Sequence, residues 1–142
     1  MDIKPTILLV EDNEEDAFIA QRALRLAKIE CSVQIAEHGE AAIDYLAGRG
    51  KYADRMLHPI PVLMLLDLKM PYLNGFEVLA WIATQPELRS MRTIILTSSG
   101  EERDRDRAEQ FGIKLYFLKP PTPQLMVTIA KELEASCSRI AE

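Results

Sequence analysis

The stretch VLMLLDLKMPYLNG, residues 62–75, decides the fold. Large apolar residues run from Val62 to Leu66 and end in one carboxylate, Asp67, with Lys69, Pro71 and Gly75 close behind. An unbroken apolar run of this kind is at home in a strand buried on both faces, and such strands belong to parallel sheets covered by helices on either side. The last residue of the run is then delivered to the rim of a packed sheet. Asp67 is placed there by the strand.

Outward from this strand, the same grammar repeats. Upstream, TILLV reads as a first strand that Glu11, Asp12 and Asn13 interrupt. The helix that follows carries Ala17, Ala20, Ala23, Leu24 and Ala27 at helical spacing. Asn13 suits its N-cap, and Glu14, Glu15 and Asp16 suit the positive end of the helix dipole. SVQIA is a short second strand, leading to a helix around EAAIDYLAG that stops at Gly48. Downstream, Asn74 and Gly75 open a helix with Phe76, Leu79 and Ile82. RTIILT is a fourth strand, the charged run EERDRDRAEQF is a helix ending at Gly112, and KLYFL is a fifth strand. Thr122 and Pro123 form an N-cap and N1 pair for a last helix with Met126, Ile129, Ala130 and Leu133 on one face. Five strands alternating with five helices predict a doubly wound α/β domain with a five-stranded parallel sheet.

A length of 142 residues suits one domain, read as residues 1–142 with no output domain attached. With 17 basic and 22 acidic residues the net charge is -5, which offers no general attraction to nucleic acid or anionic lipid. The longest apolar run, IPVLMLL, is far short of the roughly 18 residues of a membrane span, and MDIKPT lacks the regions of a secretory signal. The expected location is cytoplasmic. Cys31 and Cys137 lack metal-type spacing and read as reduced thiols.

In a doubly wound sheet the functional groups gather beyond the carboxyl ends of the strands. Those ends carry Glu11 and Asp12 after strand one, Asp67 after strand three, Thr97 with Ser98 after strand four, and Lys119 after strand five. Two carboxylates 4 Å apart repel by about 4 kcal/mol at an effective dielectric near 20, so three at one edge need counter-charge. Lys119 supplies one cation. A hard divalent ion that favours a few carboxylates and phosphate oxygens supplies the rest, which points to Mg²⁺. A carboxylate nucleophile beside Mg²⁺ and lysine is the minimum apparatus of phosphoryl transfer. Asp67 would become an acyl phosphate, with Thr97 and Lys119 bonding phosphoryl oxygens only once the group is there.

These residues resemble the receiver domain of two-component response regulators over nearly the whole chain. LLVEDN is similar to the family's acidic first loop, LLDLKMPYLNG to its phosphoacceptor loop, ILTSS to its switch hydroxyl and YFLKPP to its Lys-Pro. The intervals from Asp67 to Thr97 and from Thr97 to Lys119 also match. The resemblance implies a flavodoxin-like strand order, 2-1-3-4-5. It implies Asp67 as phosphoacceptor, and Asp12, Asp67 and the backbone carbonyl of Lys69 as Mg²⁺ ligands, with Glu11 acting through water. It implies Thr97 as switch hydroxyl, Lys119 as phosphoryl partner, Tyr116 as an aromatic that turns inward on activation, and a cis Lys119-Pro120 bond. The phosphoryl donor would be a sensor histidine kinase, and the output a downstream protein or phosphotransfer partner. Such a chain is not an enzyme towards other substrates, since it catalyses only its own phosphorylation and dephosphorylation. Glu11 and Asn74 stand where Asp is commoner, and RGKYADRMLHPIP lengthens the path from the acidic pair to Asp67. That extension and the opening VEDNEEDAFIAQRAL look like the stand-alone regulators paired with phytochrome-type kinases.

Arg49, Lys51, Arg55 and His58 give residues 48–59 a basic character, read either as a solvated loop or as a kinase-recognition surface. His38 and His58 read as surface residues, Phe76 and Trp81 as core. The fourth helix offers only Ala108 and Phe111 as anchors, so it is expected to shift on phosphorylation, its face joining strand five and helix five in a homodimer or partner surface. Three other readings stay open. A haloacid-dehalogenase-like phosphatase needs a second carboxylate two residues after the nucleophile, where Lys69 stands. Flavin binding needs a Ser/Thr/Gly loop where Glu11 and Asp12 would repel phosphate. A phosphorylation-independent interaction module would not need the acidic cluster.

Overall fold

The computed structural model describes the backbone of residues 4–141 and the side chains of residues 4–136. Cys137 lies outside the described side chains; Cys31 is half-buried and free. The strands are β1 (Thr6–Val10), β2 (Ser32–Ala36), β3 (Leu63–Leu66), β4 (Arg92–Thr97) and β5 (Tyr116–Leu118). The helices are α1 (Glu14–Leu26), α2 (Gly39–Ala47), α3 (Gly75–Ile82), α4 (Glu102–Gln110) and α5 (Pro123–Ala141). All pairings are parallel, in the order β2-β1-β3-β4-β5. The doubly wound five-stranded sheet and its strand order are as expected. Two 3₁₀ turns, Gly50–Tyr52 and Pro86–Leu88, were not anticipated, and β5 is shorter than KLYFL. No helix among the described residues is long and apolar enough to cross a membrane.

The central strands bury both faces, and their side chains alternate between two cores. Leu8, Val10, Met64, Leu66 and Ile95 pack with Ala42, Tyr45, Phe76, Leu79 and Ala108 of α2, α3 and α4. Ile7, Leu9, Leu63, Leu65, Ile94 and Leu96 pack with Ala17, Ala20 and Leu24 of α1 and Leu125, Ile129 and Leu133 of α5. Fully burying side chains of this size contributes about 1.5–3 kcal/mol each. Helix entry follows the sequence signals. Asn13 Oδ1 accepts from Asp16 N at 2.9 Å, Asn74 and Glu77 form a reciprocal capping box, and Thr122 Oγ1 accepts from Leu125 N at 3.2 Å.

Much of the 48–59 segment is solvent-exposed, as a solvated loop would be, but Arg55 pins it to α2. Arg55 ends α2: its guanidinium donates to the carbonyls of Tyr45 and Leu46, each at 2.8 Å, and of His58 at 3.1 Å. Arg49 pairs with Asp44 at 3.6 Å, and Lys51 lies over the Tyr52 ring. The buried Tyr45 donates its hydroxyl to Pro59 O at 2.8 Å. His58 stands edge-on to both Tyr45 and Tyr52, and His38 Nδ1 caps α2 by accepting from Ala41 N. Sequence reading missed this because the partners of Arg55 are backbone carbonyls, which carry no sequence signature.

Candidate functional site

Strand register builds the site. Val10 faces Leu66 across β1 and β3, so the next residues, Glu11 and Asp67, emerge side by side where the strand order reverses. Their amides remain tied to the sheet: Glu11 N donates to Ala36 O at 3.0 Å and Asp67 N to Val10 O at 3.1 Å. Thr97 ends β4 with no exposed surface, and Lys119 follows β5 with its N–H donating to Thr97 O at 2.8 Å. The Lys119-Pro120 bond is cis. Gly75 is required by close approach: a Cβ there would lie 2.6 Å from the Asp67 carbonyl oxygen.

Glu11, Asp12 and Asp67 each offer a carboxylate oxygen within 4.8 Å of the others. Glu11 and Asp67 are buried and Asp12 is exposed. An all-oxygen donor set with one open, solvated member fits a hard divalent cation, which keeps waters among its ligands. On the protein side the cluster is met by one ammonium. Lys119 Nζ lies 2.5 Å from Glu11 Oε1, 2.9 Å from Asp16 Oδ2 and 3.0 Å from Asp67 Oδ2.

One cation thus serves three acids, and the charge imbalance shows in proton affinity. Burial pushes the Glu11 carboxyl up to about 7, with the Asp67 charge adding, against hydrogen bonds from Lys119 and from Asn13 N that lower it. Burial works against the Lys119 ammonium, but its hydrogen bonds to Glu11 and Asp16 and the Asp67 charge outweigh that, so its pKa is raised. Part of the excess negative charge is thus relieved by a proton held on the buried Glu11 carboxyl.

Asp16, Ser99 and Asp104 were missed as members of the site. Asp16 served only as a dipole partner in the sequence; its second role needs the turn of chain that brings Lys119 over α1. Asp104 is 6% exposed, not solvated. It accepts from Ser99 Oγ at 2.5 Å and pairs with Lys69 Nζ at 3.0 Å. The Ser99 hydrogen bond, ahead of the opposing effect of burial, holds the Asp104 carboxyl below its ordinary pKa, and Lys69 reinforces it. Its spacing with Ala108 and Phe111 on one helical face was the available signal. The expectation that Ala108 and Phe111 alone anchor α4 is therefore corrected: Arg105 also lies 4.6 Å from the Tyr116 ring and Arg107 4.3 Å from that of Phe76. Tyr116 is half-buried, its hydroxyl donating to Ser99 O at 2.7 Å. Lys69, where a dehalogenase-like phosphatase would carry its acid and base, is an ammonium engaged with Asp104.

The response regulator receiver domain family matches residues 7–131. The chain is similar to the response regulator Rcp1 of Synechocystis sp., 35% identical over 113 residues, covering 80% of this chain and 75% of Rcp1. Among solved structures it resembles the bacteriophytochrome response regulator AtBRR, with a TM-score of 0.81 and 34% identity over 94% of each chain. It also resembles the phosphorylated cyanobacterial phytochrome response regulator RcpA, with a TM-score of 0.79 and 31% identity over 96% of each chain. Rcp1 in an Mn²⁺-bound form superposes with a TM-score of 0.75 at 32% identity, over 89% of this chain and 90% of that one.

Proposed function

The chain belongs to the response regulator receiver domain family, and on that premise we propose that Asp67 is the phosphoacceptor of a two-component signalling switch. The observation that carries this is the position of Asp67: buried at the end of β3, within ligand distance of Glu11 and Asp12, and bonded to Lys119. A carboxylate Oδ of Asp67 attacks the phosphorus of a phosphohistidine, the P–N bond breaks, and the imidazole nitrogen takes a proton as it leaves.

Asp12, Asp67 and the Lys69 carbonyl, with Glu11 through water, would hold Mg²⁺, which would supply positive charge against the transferred group. The protein's own groups do the positioning. Lys119 spans Asp67 and Glu11 and is at hand for a phosphoryl oxygen. The Lys69 N–H donates to Asp67 Oδ1 at 3.2 Å and fixes the carboxylate's orientation. Thr97, buried on the neighbouring strand, supplies the hydroxyl that responds to the new group, and Tyr116, bonded to Ser99 two residues further on, reports its movement.

The likeness to Rcp1, AtBRR and RcpA supports a phytochrome-type histidine kinase as donor. Transfer from such a kinase, autophosphorylated with labelled ATP, tests the reading: label should move to this chain and not to Asp67→Asn. Label that stays on the kinase, or reaches Asp67→Asn equally, contradicts it. A homodimer through α4, β5 and α5 remains part of the proposal, to be checked by the mass of the phosphorylated chain in solution.

A further inference from the structure

Lys69 joins the Asp67 loop directly to the start of α4. Its backbone N–H is on Asp67 Oδ1 at 3.2 Å, and its ammonium is on Asp104 Oδ2, at the start of α4, at 3.0 Å. The same Asp104 oxygen receives the Ser99 hydroxyl at 2.5 Å. Ser99 in turn donates its N–H towards Thr97 Oγ1 at 3.4 Å and accepts the Tyr116 hydroxyl on its carbonyl. Asp104 is thus a buried carboxylate whose contact cation is a lysine from the Asp67 loop.

We propose that Asp104 is a positioning residue of the phosphoryl site: it holds the Lys69 ammonium on α4, and a phosphoryl group on Asp67 takes that ammonium over, releasing the first turn of α4. The proposal rests on Asp67 being the phosphoacceptor. A phosphoryl group carries about -1.5 to -2 charges and three acceptor oxygens, against one charge on a carboxylate. Lys69 sits on a flexible four-carbon stem, its side chain 49% exposed while that of Asp104 is 9% exposed, so the lysine is the partner free to swing. Once it leaves, Asp104 keeps the Ser99 hydroxyl and only the more distant charge of Arg103. A buried carboxylate stripped of its cation is strongly unfavourable, and moving the turn that carries it into water relieves the cost. Release stops within the helix, because its second half stays held by the buried Ala108, by Arg107 over Phe76 and by the stacked Phe76 and Phe111 rings.

Hydrogen exchange over residues 99–110 tests this on the full chain with Mg²⁺ present, in unmodified and phosphorylated samples whose phosphoryl content is read by intact mass. In the wild type, protection of the first turn of α4 should fall at least about fivefold on phosphorylation. Lys69→Met should show that loss before phosphorylation and little change after it; Asp104→Asn, which keeps the side chain's volume and a bond to Ser99 but buries no charge, should keep the first turn protected in both states. Lys69→Arg keeps the pair and should restore the wild-type pattern, which mere packing by the lysine stem would not require. Unmodified Lys69→Met with wild-type protection would overturn the proposal, as would a fall on phosphorylation in Asp104→Asn equal to that in the wild type. A sample that takes up no phosphoryl group overturns the phosphoacceptor reading and the exchange with it, whereas normal uptake with an unmoved α4 overturns the exchange alone.

Discussion

Lys119 Nζ lies 3.0 Å from Asp67 Oδ2, bridging β5 to the end of β3. The same ammonium reaches Glu11 and Asp16, so it is the pivot of the site's electrostatics.

Removing that ammonium leaves Glu11, Asp16 and Asp67 without their cationic partner among the described residues. Lys119→Met should therefore bind Mg²⁺ about tenfold or more tightly, since a competing positive charge at contact distance is gone. It should also be less stable without metal, by about 2–4 kcal/mol, with Mg²⁺ restoring much of the loss. Mg²⁺ titration and urea unfolding with and without EDTA check both.

The raised pKa of Glu11 makes metal-free stability depend on pH in an unusual direction. Its carboxyl holds a proton up to about 7 in the folded chain, against 4.5 unfolded, so the folded state binds more protons between those values. Its contribution to stability is present below 4.5 and is lost as pH rises to about 7. In EDTA, the wild type should lose more stability than Glu11→Gln between about pH 5 and about pH 8. Mg²⁺ favours the ionised carboxyl, so its affinity should rise across the same window. Urea midpoints that change equally with pH in the two proteins would contradict the assignment.

Gly75→Ala forces a Cβ against the Asp67 carbonyl oxygen, 2.6 Å away, and against Leu68 Cα at 2.9 Å. Backbone must shift, at a cost of about 1–3 kcal/mol. Because the displaced segment carries Asp67, phosphoryl uptake should slow as stability falls, measured as a single-exponential rate beside the urea midpoint.

Arg55→Ala separates structure from chemistry. It removes three hydrogen bonds to the carbonyls of Tyr45, Leu46 and His58, and should destabilise the fold by about 1–3 kcal/mol. Mg²⁺ affinity should be unchanged, as those bonds lie at the end of α2 and involve none of the acidic cluster.

Much of this was legible in the sequence because it depends on strand ends. Once each apolar run is read as a buried parallel strand, Glu11, Asp67, Thr97 and Lys119 fall on one edge without further assumption. Asn13, Asn74 and Thr122 were legible as caps for the same reason: the signal is local. The residues that escaped bind across long intervals. Asp16 meets a lysine over a hundred residues later. Arg55 meets backbone carbonyls. Asp104 sits in a run of alternating charges where its helical phase was outweighed by its neighbours, and burial of a carboxylate is legible only with its partners Lys69 and Ser99 in view.

The most direct test is phosphoryl uptake from acetyl phosphate or phosphoramidate, read by intact mass with and without Mg²⁺, on the wild type and Asp67→Asn. The account predicts a gain of one phosphoryl group that requires Mg²⁺ and is absent in Asp67→Asn. A folded wild type that gains nothing, or an Asp67→Asn chain that gains as much, would contradict it.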